Sequence, residues 1–390
     1  MPTSPFAHDP HTVRLLDEGY DLSLVGGHLV VNQVPYVTKA RTVAYGQLAF
    51  PVTFSGDTAV DQSGDHRIWF VGEQPHHEDG TPLGGPSPDR RVIGPGLTAQ
   101  FMISLKPKRQ GKYENHYDKI TSYARNLGHP AIAVDSTVNL TPGAAWQEVE
   151  EGLPFIYRDS ATSRAGLAEL NSKFRGHTIG IVGVGGTGSY ILDQVAKTWV
   201  DRIVLLDGDV LDNHNAFRAP GAADIDALRV RLNKAEYFAG LYGHMHTGIT
   251  AHPVFLDEDN LQLLSDCTFV FLAAADAPAK HAIMTWLHER GIPVVTVGMG
   301  VDEEPSGLSG LVCSTMLLPE DPTPTTGSGT VPFDPDYDRN IQTAELNMLN
   351  AAYAVVQWKR YLGYYATHTP SRETIYKIYT DELRCDEDKS

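Results

Sequence analysis

The sequence predicts an α/β protein in two parts, a wound parallel sheet with helices on both faces preceded by a smaller α+β domain. Three observations carry this. Beyond about residue 150, apolar runs of strand length alternate with longer amphipathic segments, the rhythm of strand-helix-strand units. Before about residue 145 the apolar runs are short, rich in β-formers and broken by glycine and proline turns. In the second part, one apolar run at 177–182 passes directly into a glycine-rich turn and then into a helical segment.

The first domain is placed at residues 1–145. Its strands include His28-Leu29-Val30-Val31 and Arg67-Ile68-Trp69-Phe70-Val71, and its turns fall at Gly26-Gly27, Ser55-Gly56-Asp57, Asp79-Gly80 and Gly84-Gly85-Pro86. A helix is expected near 113–126, so strands lead and a helix follows. The second domain is placed at 150–390. Strands are expected near 178–184, 202–206, 249–255, 268–275, 293–299 and 308–318, with helices near 188–199, 227–242, 278–290 and 342–361. The proline-rich stretch 319–338, with Gly327-Ser328-Gly329 inside it, reads as a long loop of the kind that is functional or mobile. There is no internal repeat.

Composition narrows the class. A chain of 390 residues has room for about two ordinary domains. Hydrophobic residues make up 42% and charged residues 20%, and no apolar run approaches the roughly 20 residues a bilayer requires, so no membrane association is expected. Met1-Pro2-Thr3-Ser4-Pro5 lacks the basic and apolar pattern of a secretory signal, which leaves a cytoplasmic location as the expectation. Cys267, Cys313 and Cys385 are too few and too widely spaced for a disulfide framework or a zinc knuckle. The net charge of −17 opposes binding to nucleic acid, whose phosphates are held by clustered Lys and Arg.

The chemistry lies in the second domain. His177-Thr178-Ile179-Gly180-Ile181-Val182 reads as a buried strand, Gly183-Val184-Gly185-Gly186-Thr187-Gly188 as the turn after it, and 189–199 as a helix. Glycines let a backbone approach phosphates closely, and a helix N-terminus offers unpaired N–H groups and partial positive charge. A second strand at 202–206 ends on Asp207, placed to accept hydrogen bonds from ribose hydroxyls. These features alone fit a nicotinamide-dependent oxidoreductase equally well. The segment after the second strand favours a triphosphate. Residues 207–218 pack carboxylates, amides and a guanidinium beyond the strand's carboxyl end, and Lys234 and Asp276 are expected at the same edge. Cations neutralise phosphoryl charge and a carboxylate can hold a metal.

In order, Gly183 to Gly188, Asp207-Gly208-Asp209, Asn215-Ala216-Phe217-Arg218, Lys234 and Asp276 match a family pattern. Residues 157–362 resemble the ThiF/MoeB/HesA superfamily, the adenylyltransferases of sulfur-carrier proteins and activating enzymes of ubiquitin-like proteins. The resemblance implies a Rossmann-like ThiF-type sheet that binds ATP at Gly183, Gly185, Gly186 and Gly188. It puts Asp207 on the ribose, Arg218 and Lys234 on the phosphates and Asp276 on Mg2+, with Asn215 and Asp209 ordering the polar network. It further implies an arginine delivered across a homodimer, for which Arg164 is the candidate, and a basic residue at Lys280. The substrate would be a small ubiquitin-like or sulfur-carrier protein ending in Gly, whose carboxylate displaces pyrophosphate to give an acyl adenylate.

The chain departs from the family in two respects. It lacks the Cys-x-x-Cys pairs that hold zinc in relatives, so no zinc is expected, and 319–338 contains no cysteine for a thioester. Cys267 and Cys313 read as small core residues, and Cys385 falls in an acidic tail whose carboxylates weaken a thiol nucleophile. The first domain resembles an uncharacterised domain found before ThiF-like domains in some bacterial proteins. A distant relation to ubiquitin-conjugating folds is compatible with its pattern, but no cysteine occurs before position 267. His66, His76, His77 and Asp79 read as solvated turn residues rather than a metal cluster, and the domain as a docking element for the protein substrate. An oxidoreductase and a nucleotide-binding scaffold without turnover stand as competing functions.

Overall fold

The computed structural model describes residues 9–55, 58–60, 65–107, 111–143, 147–148, 152–273, 277–325 and 341–387. No helix among them is long and apolar enough to cross a membrane. The chain forms two compact units, Met1–Gly152 with Tyr157–Leu170, and Leu153–Ile156 with Asn171–Ser390.

In the first unit a helix, α1 (Pro10–Asp17), precedes the strands that were expected to lead. Asp9 caps it by accepting the Thr12 N–H at 3.0 Å, and Pro10 takes the first helical position, both ordinary helix-start devices. The strands are β1 (Leu22–Val25), β2 (His28–Val37), β3 (Val43–Pro51), β4 (Thr53–Ser55), β5 (Thr58–Val60), β6 (Arg67–Val71), β7 (Pro86–Gly94) and β8 (Leu97–Ser104), followed by α2 (His116–Val134) and β9 (Gln147–Glu148). Seven of them form one sheet in the order β7-β8-β6-β3-β2-β1-β9. Side-chain alternation along a strand divides its residues between two faces. Leu29, Val31, Leu48, Phe50, Ile68 and Phe70 meet Ile120, Tyr123 and Leu127 of α2, whereas Val30, Ala49 and Trp69 form a second buried cluster with Val25, Ile93 and Ala99. Asn115 caps α2 by accepting the Asp118 N–H at 2.9 Å, and the helix runs past Gly128 and Pro130, well beyond the expected 126. His76 is buried, with Nδ1 at 2.7 Å from the Gln74 carbonyl, so the reading of that turn as wholly solvated does not hold for it.

The later elements are α3 (Ser160–Ala165), α4 (Ala168–Asn171), β10 (Thr178–Val182), α5 (Gly186–Val195), β11 (Arg202–Leu206), α6 (Asn213–Ala216), α7 (Ile225–Val230), α8 (Lys234–Tyr242) and β12 (Ile249–His252). After them come β13 (Phe269–Leu272), α9 (Ala277–Glu289), β14 (Val294–Glu304), β15 (Gly307–Leu317), α10 (Ala344–Tyr361), β16 (Ser371–Lys377) and β17 (Glu382–Glu387). The sheet of the second unit runs β12-β11-β10-β13-β14-β15-β16-β17. Its first five strands are parallel and its last three pairings antiparallel. The chain begins at β10, winds outward through β11 and β12, then returns to the other side of β10 for β13 and β14. That reversal makes a topological switch point between β10 and β13, where open α/β sheets bind ligands. Helices cover both faces: Ile283, Met284 and Leu287 of α9 pack with Val270, Leu272 and Val294, and Trp358 of α10 meets Phe269 and Phe271.

Two expectations are corrected in this unit. The single helix expected over 227–242 is two, α7 and α8, interrupted at Arg231, whose φ of 55° is left-handed. The acidic C-terminal stretch is not a free tail: β16 and β17 form a hairpin on the sheet edge, with Cys385 exposed opposite Thr374.

Candidate functional site

The glycine turn leaves the carboxyl end of β10 at the switch point. All five residues of β10 are buried, and the turn opens at Gly183 with φ 81°, a left-handed value that favours glycine. The Gly183 N–H donates to the Leu206 carbonyl at 2.8 Å, and the Val184 N–H donates to Asp207 Oδ2 at 2.8 Å. In the first turn of α5 a Cβ on Gly188 would stand 1.8 Å from the Gly183 carbonyl oxygen, so only glycine lets that turn pack against the end of β10. Gly185 is the N-cap of α5 and leaves the helix without a side-chain cap. A Cβ on Gly185 would meet nothing within 4 Å. The helix thus starts without a side-chain cap and with open space at Gly185, and the N–H groups of an uncapped helix start suit an anion.

Asp207 ties this turn to the end of β11. It is 9% exposed, and its second oxygen accepts the Asp209 N–H at 2.9 Å. Burial pushes its carboxyl up from the ordinary carboxylate range, and the Lys234 ammonium and the N–H groups of Asp209 and Val184 pull it part of the way back. Lys234 is the first residue of α8, and its buried side chain reaches Asp209 Oδ2 at 2.8 Å. The Asn233 side chain fixes both elements: Nδ2 donates to the carbonyls of Asp207 and Asp209 at 2.8 and 2.9 Å, and Oδ1 accepts the Ala235 and Glu236 N–H groups. The structure thus brings Asp207, Asp209 and Lys234 together.

The segment beyond Asp209 is ordered by its own caps. Asn215 is buried, and its Oδ1 accepts the Asp212 N–H at 2.9 Å in a capping box at α6. Arg231 closes a two-point ion pair on Asp212 at 3.0 and 3.1 Å, holding that carboxyl below the usual range. Arg218 follows α6 with its Nε buried. Lys280 lies in the first turns of α9, 5% exposed, with Nζ at 3.2 Å from the Val297 carbonyl. Arg164 is on α3, which groups with the first unit. Asp276 lies outside the described residues. Among the described residues, no group of three or more His, Cys, Asp or Glu is arranged to hold a metal.

Three residues at the site escaped the sequence reading. Asn233 carried a legible signal, an Asn three residues before Glu236, the pattern of a helix start. Phe255, 66% exposed, lies beyond β12 with its ring against Gly208, where a Cβ would be 2.5 Å from the ring. Asn347 of α10 accepts the Thr187 hydroxyl at 2.8 Å. Neither Phe255 nor Asn347 stands near the turn in sequence, so no local pattern announces them.

A model described as "ThiF family" matches residues 158–356, and one described as a domain of unknown function, DUF6791, matches residues 10–160. The chain is 27% identical over 161 residues to the SAMP-activating enzyme E1 of Haloferax volcanii, an alignment covering 39% of this chain and 56% of that protein. It therefore spans little more than half the length of this curated relative. Among solved structures, E. coli MccB with MccA-N7isoASN aligns at 13% identity with a TM-score of 0.45, covering 56% of this chain and 66% of that one. PaaA aligns at 19% identity with a TM-score of 0.41, covering 56% and 75%.

Proposed function

The chain belongs to the ThiF family, and from that premise we propose that it is an adenylyltransferase that uses ATP to activate the C-terminal carboxylate of a small ubiquitin-like or sulfur-carrier protein. The observation that carries the proposal is the uncapped first turn of α5 set beside the Asp207–Asp209–Lys234 cluster at the switch point. An uncapped helix start and a buried ammonium suit a triphosphate, and a carboxylate at the second strand's end suits a ribose. The Haloferax relative, by its name an activating enzyme for SAMP, supports a protein substrate.

The reaction asks little acid-base chemistry of the chain. A terminal carboxylate is ionised near neutral pH, so its oxygen attacks the α-phosphorus directly. A carboxyl oxygen-phosphorus bond forms, the bond from that phosphorus to the bridging oxygen breaks, and pyrophosphate leaves. In this reading Asp207 orients the ribose, Gly183, Gly185, Gly186 and Gly188 admit the phosphates, and Lys234 and Arg218 neutralise developing charge. Asn215 and Asp209 hold those groups in register, and Arg164 and Lys280 supply further positive charge. Magnesium, held by Asp276, would add charge neutralisation at the phosphates. The first unit docks the carrier.

A thioester step is not part of the reading. Cys267 and Cys313 are buried, and burial pushes their thiols up to about 12 and about 11, far from a nucleophilic thiolate at neutral pH. Incubation with ATP, magnesium and a Gly-ended ubiquitin-like protein, followed by hydroxylamine, is expected to leave a hydroxamate at the carrier's C-terminus. Asp276→Ala is expected to abolish it with the fold intact. A carrier that stays unmodified, while the chain reduces or oxidises a substrate with a nicotinamide cofactor, contradicts the proposal.

A further inference from the structure

The first turn of α5 carries two hydroxyls, and both are already engaged by the protein. Buried Ser189 donates to the Gly186 carbonyl at 2.8 Å. Thr187 donates to Asn347 Oδ1 at 2.8 Å. Asn347 is 1% exposed, and its Nδ2 donates to the carbonyl of Thr343, the N-cap of α10, at 3.0 Å. The same amide lies flat against Gly186, where a Cβ would stand 2.4 Å from both its oxygen and its nitrogen. One buried side chain from α10 therefore grips the first two residues of α5.

Such a grip has a purpose in a turn of this composition. A helix N-terminus binds an anion well only when its N–H groups converge on a fixed point, and glycines restrain their own backbone weakly. A buried amide is costly unless paired, and here its pairing joins the start of α5 to the start of α10. Preorganised donors lose less on binding than donors that must first be ordered.

We propose that Asn347 is a positioning residue for nucleotide binding. It holds Thr187 and Gly186 so that the main-chain N–H groups of α5, and not the Thr187 hydroxyl, receive the phosphates. The inference rests on the adenylation reading, since it needs ATP at this turn.

The test is a double-mutant cycle on the full chain, with ATP affinity read by titration calorimetry and the fold checked by thermal melting. Asn347→Ala and Thr187→Val are each expected to weaken ATP binding about fivefold, the value of one hydrogen bond between neutral groups. The double variant is expected to be no weaker than Asn347→Ala alone, because that substitution already removes the Thr187 contact. Thr187→Ser, which keeps the hydroxyl, is expected to recover the affinity that Thr187→Val loses. In pyrophosphate exchange the ATP KM should rise while kcat at saturating ATP changes little. Unchanged affinity in a folded Asn347→Ala variant, or losses that multiply in the double variant, overturns the clamp alone. Failure of the unaltered chain to bind ATP overturns the adenylation reading and the clamp with it.

Discussion

Burial lowers the Lys280 ammonium from 10.5 to about 8, with the neighbouring Cys313 thiol acting the other way. A shift of that size corresponds to about 3 kcal/mol. The folded chain holds this proton more weakly than the unfolded one. Below pH about 8 the ammonium is charged in both states and the whole cost is present. Between about 8 and 10.5 only the unfolded chain keeps the proton, so stability rises with pH across that window. Lys280→Met, similar in length and uncharged, is expected to raise stability at pH 7 by up to about 3 kcal/mol. That gain should shrink towards pH 10, as urea unfolding at the two pH values would read; an equal gain at both contradicts the burial argument. Such depth was not legible in the sequence, where Lys280 was only a basic residue one turn past Asp276. Asp207, Asp209 and Lys234 were legible, because residues at strand ends and helix starts are placed by topology rather than by packing detail.

Among the elements around the site, α8 owes most to Asn233. This side chain caps the helix and also holds the carbonyls of Asp207 and Asp209. Asn233→Ala should lose a cap, about 1 kcal/mol, and two side-chain hydrogen bonds of about 1 kcal/mol each. Urea unfolding is expected to show a loss of about 2–3 kcal/mol, and pyrophosphate exchange to fall as Lys234 loses its anchor; unchanged stability rules out this role. Apolar periodicity gave the parallel strands and α5, α9 and α10 nearly in place. Burial and charge hid the rest of the pattern. Val30, Ala49 and Trp69 are buried opposite Leu29, Leu48 and Ile68, so β2, β3 and β6 were legible as apolar β-rich runs but not by an alternating polar face. β17, Glu382–Glu387, alternates Leu383 and Cys385 with charged residues, and its charge makes it look like a solvated tail. An edge strand carries such charge because it deters pairing with other chains.

For the molecule as a whole, the chain divides into two units, and α3, which carries Arg164, groups with the first. Delivery of that arginine across a homodimer predicts complementation: Arg164→Ala and Lys234→Ala, each inactive alone, should regain part of the exchange activity when mixed, because a mixed dimer keeps one intact site. No recovery on mixing, in variants that sediment as dimers, places the arginine in cis. Adenylation itself is tested most directly by ATP–pyrophosphate exchange on the unaltered chain, with and without a Gly-ended ubiquitin-like protein. Exchange that depends on the carrier and is lost on Lys234→Ala is the predicted result; ATP binding with no exchange, carrier present, contradicts it.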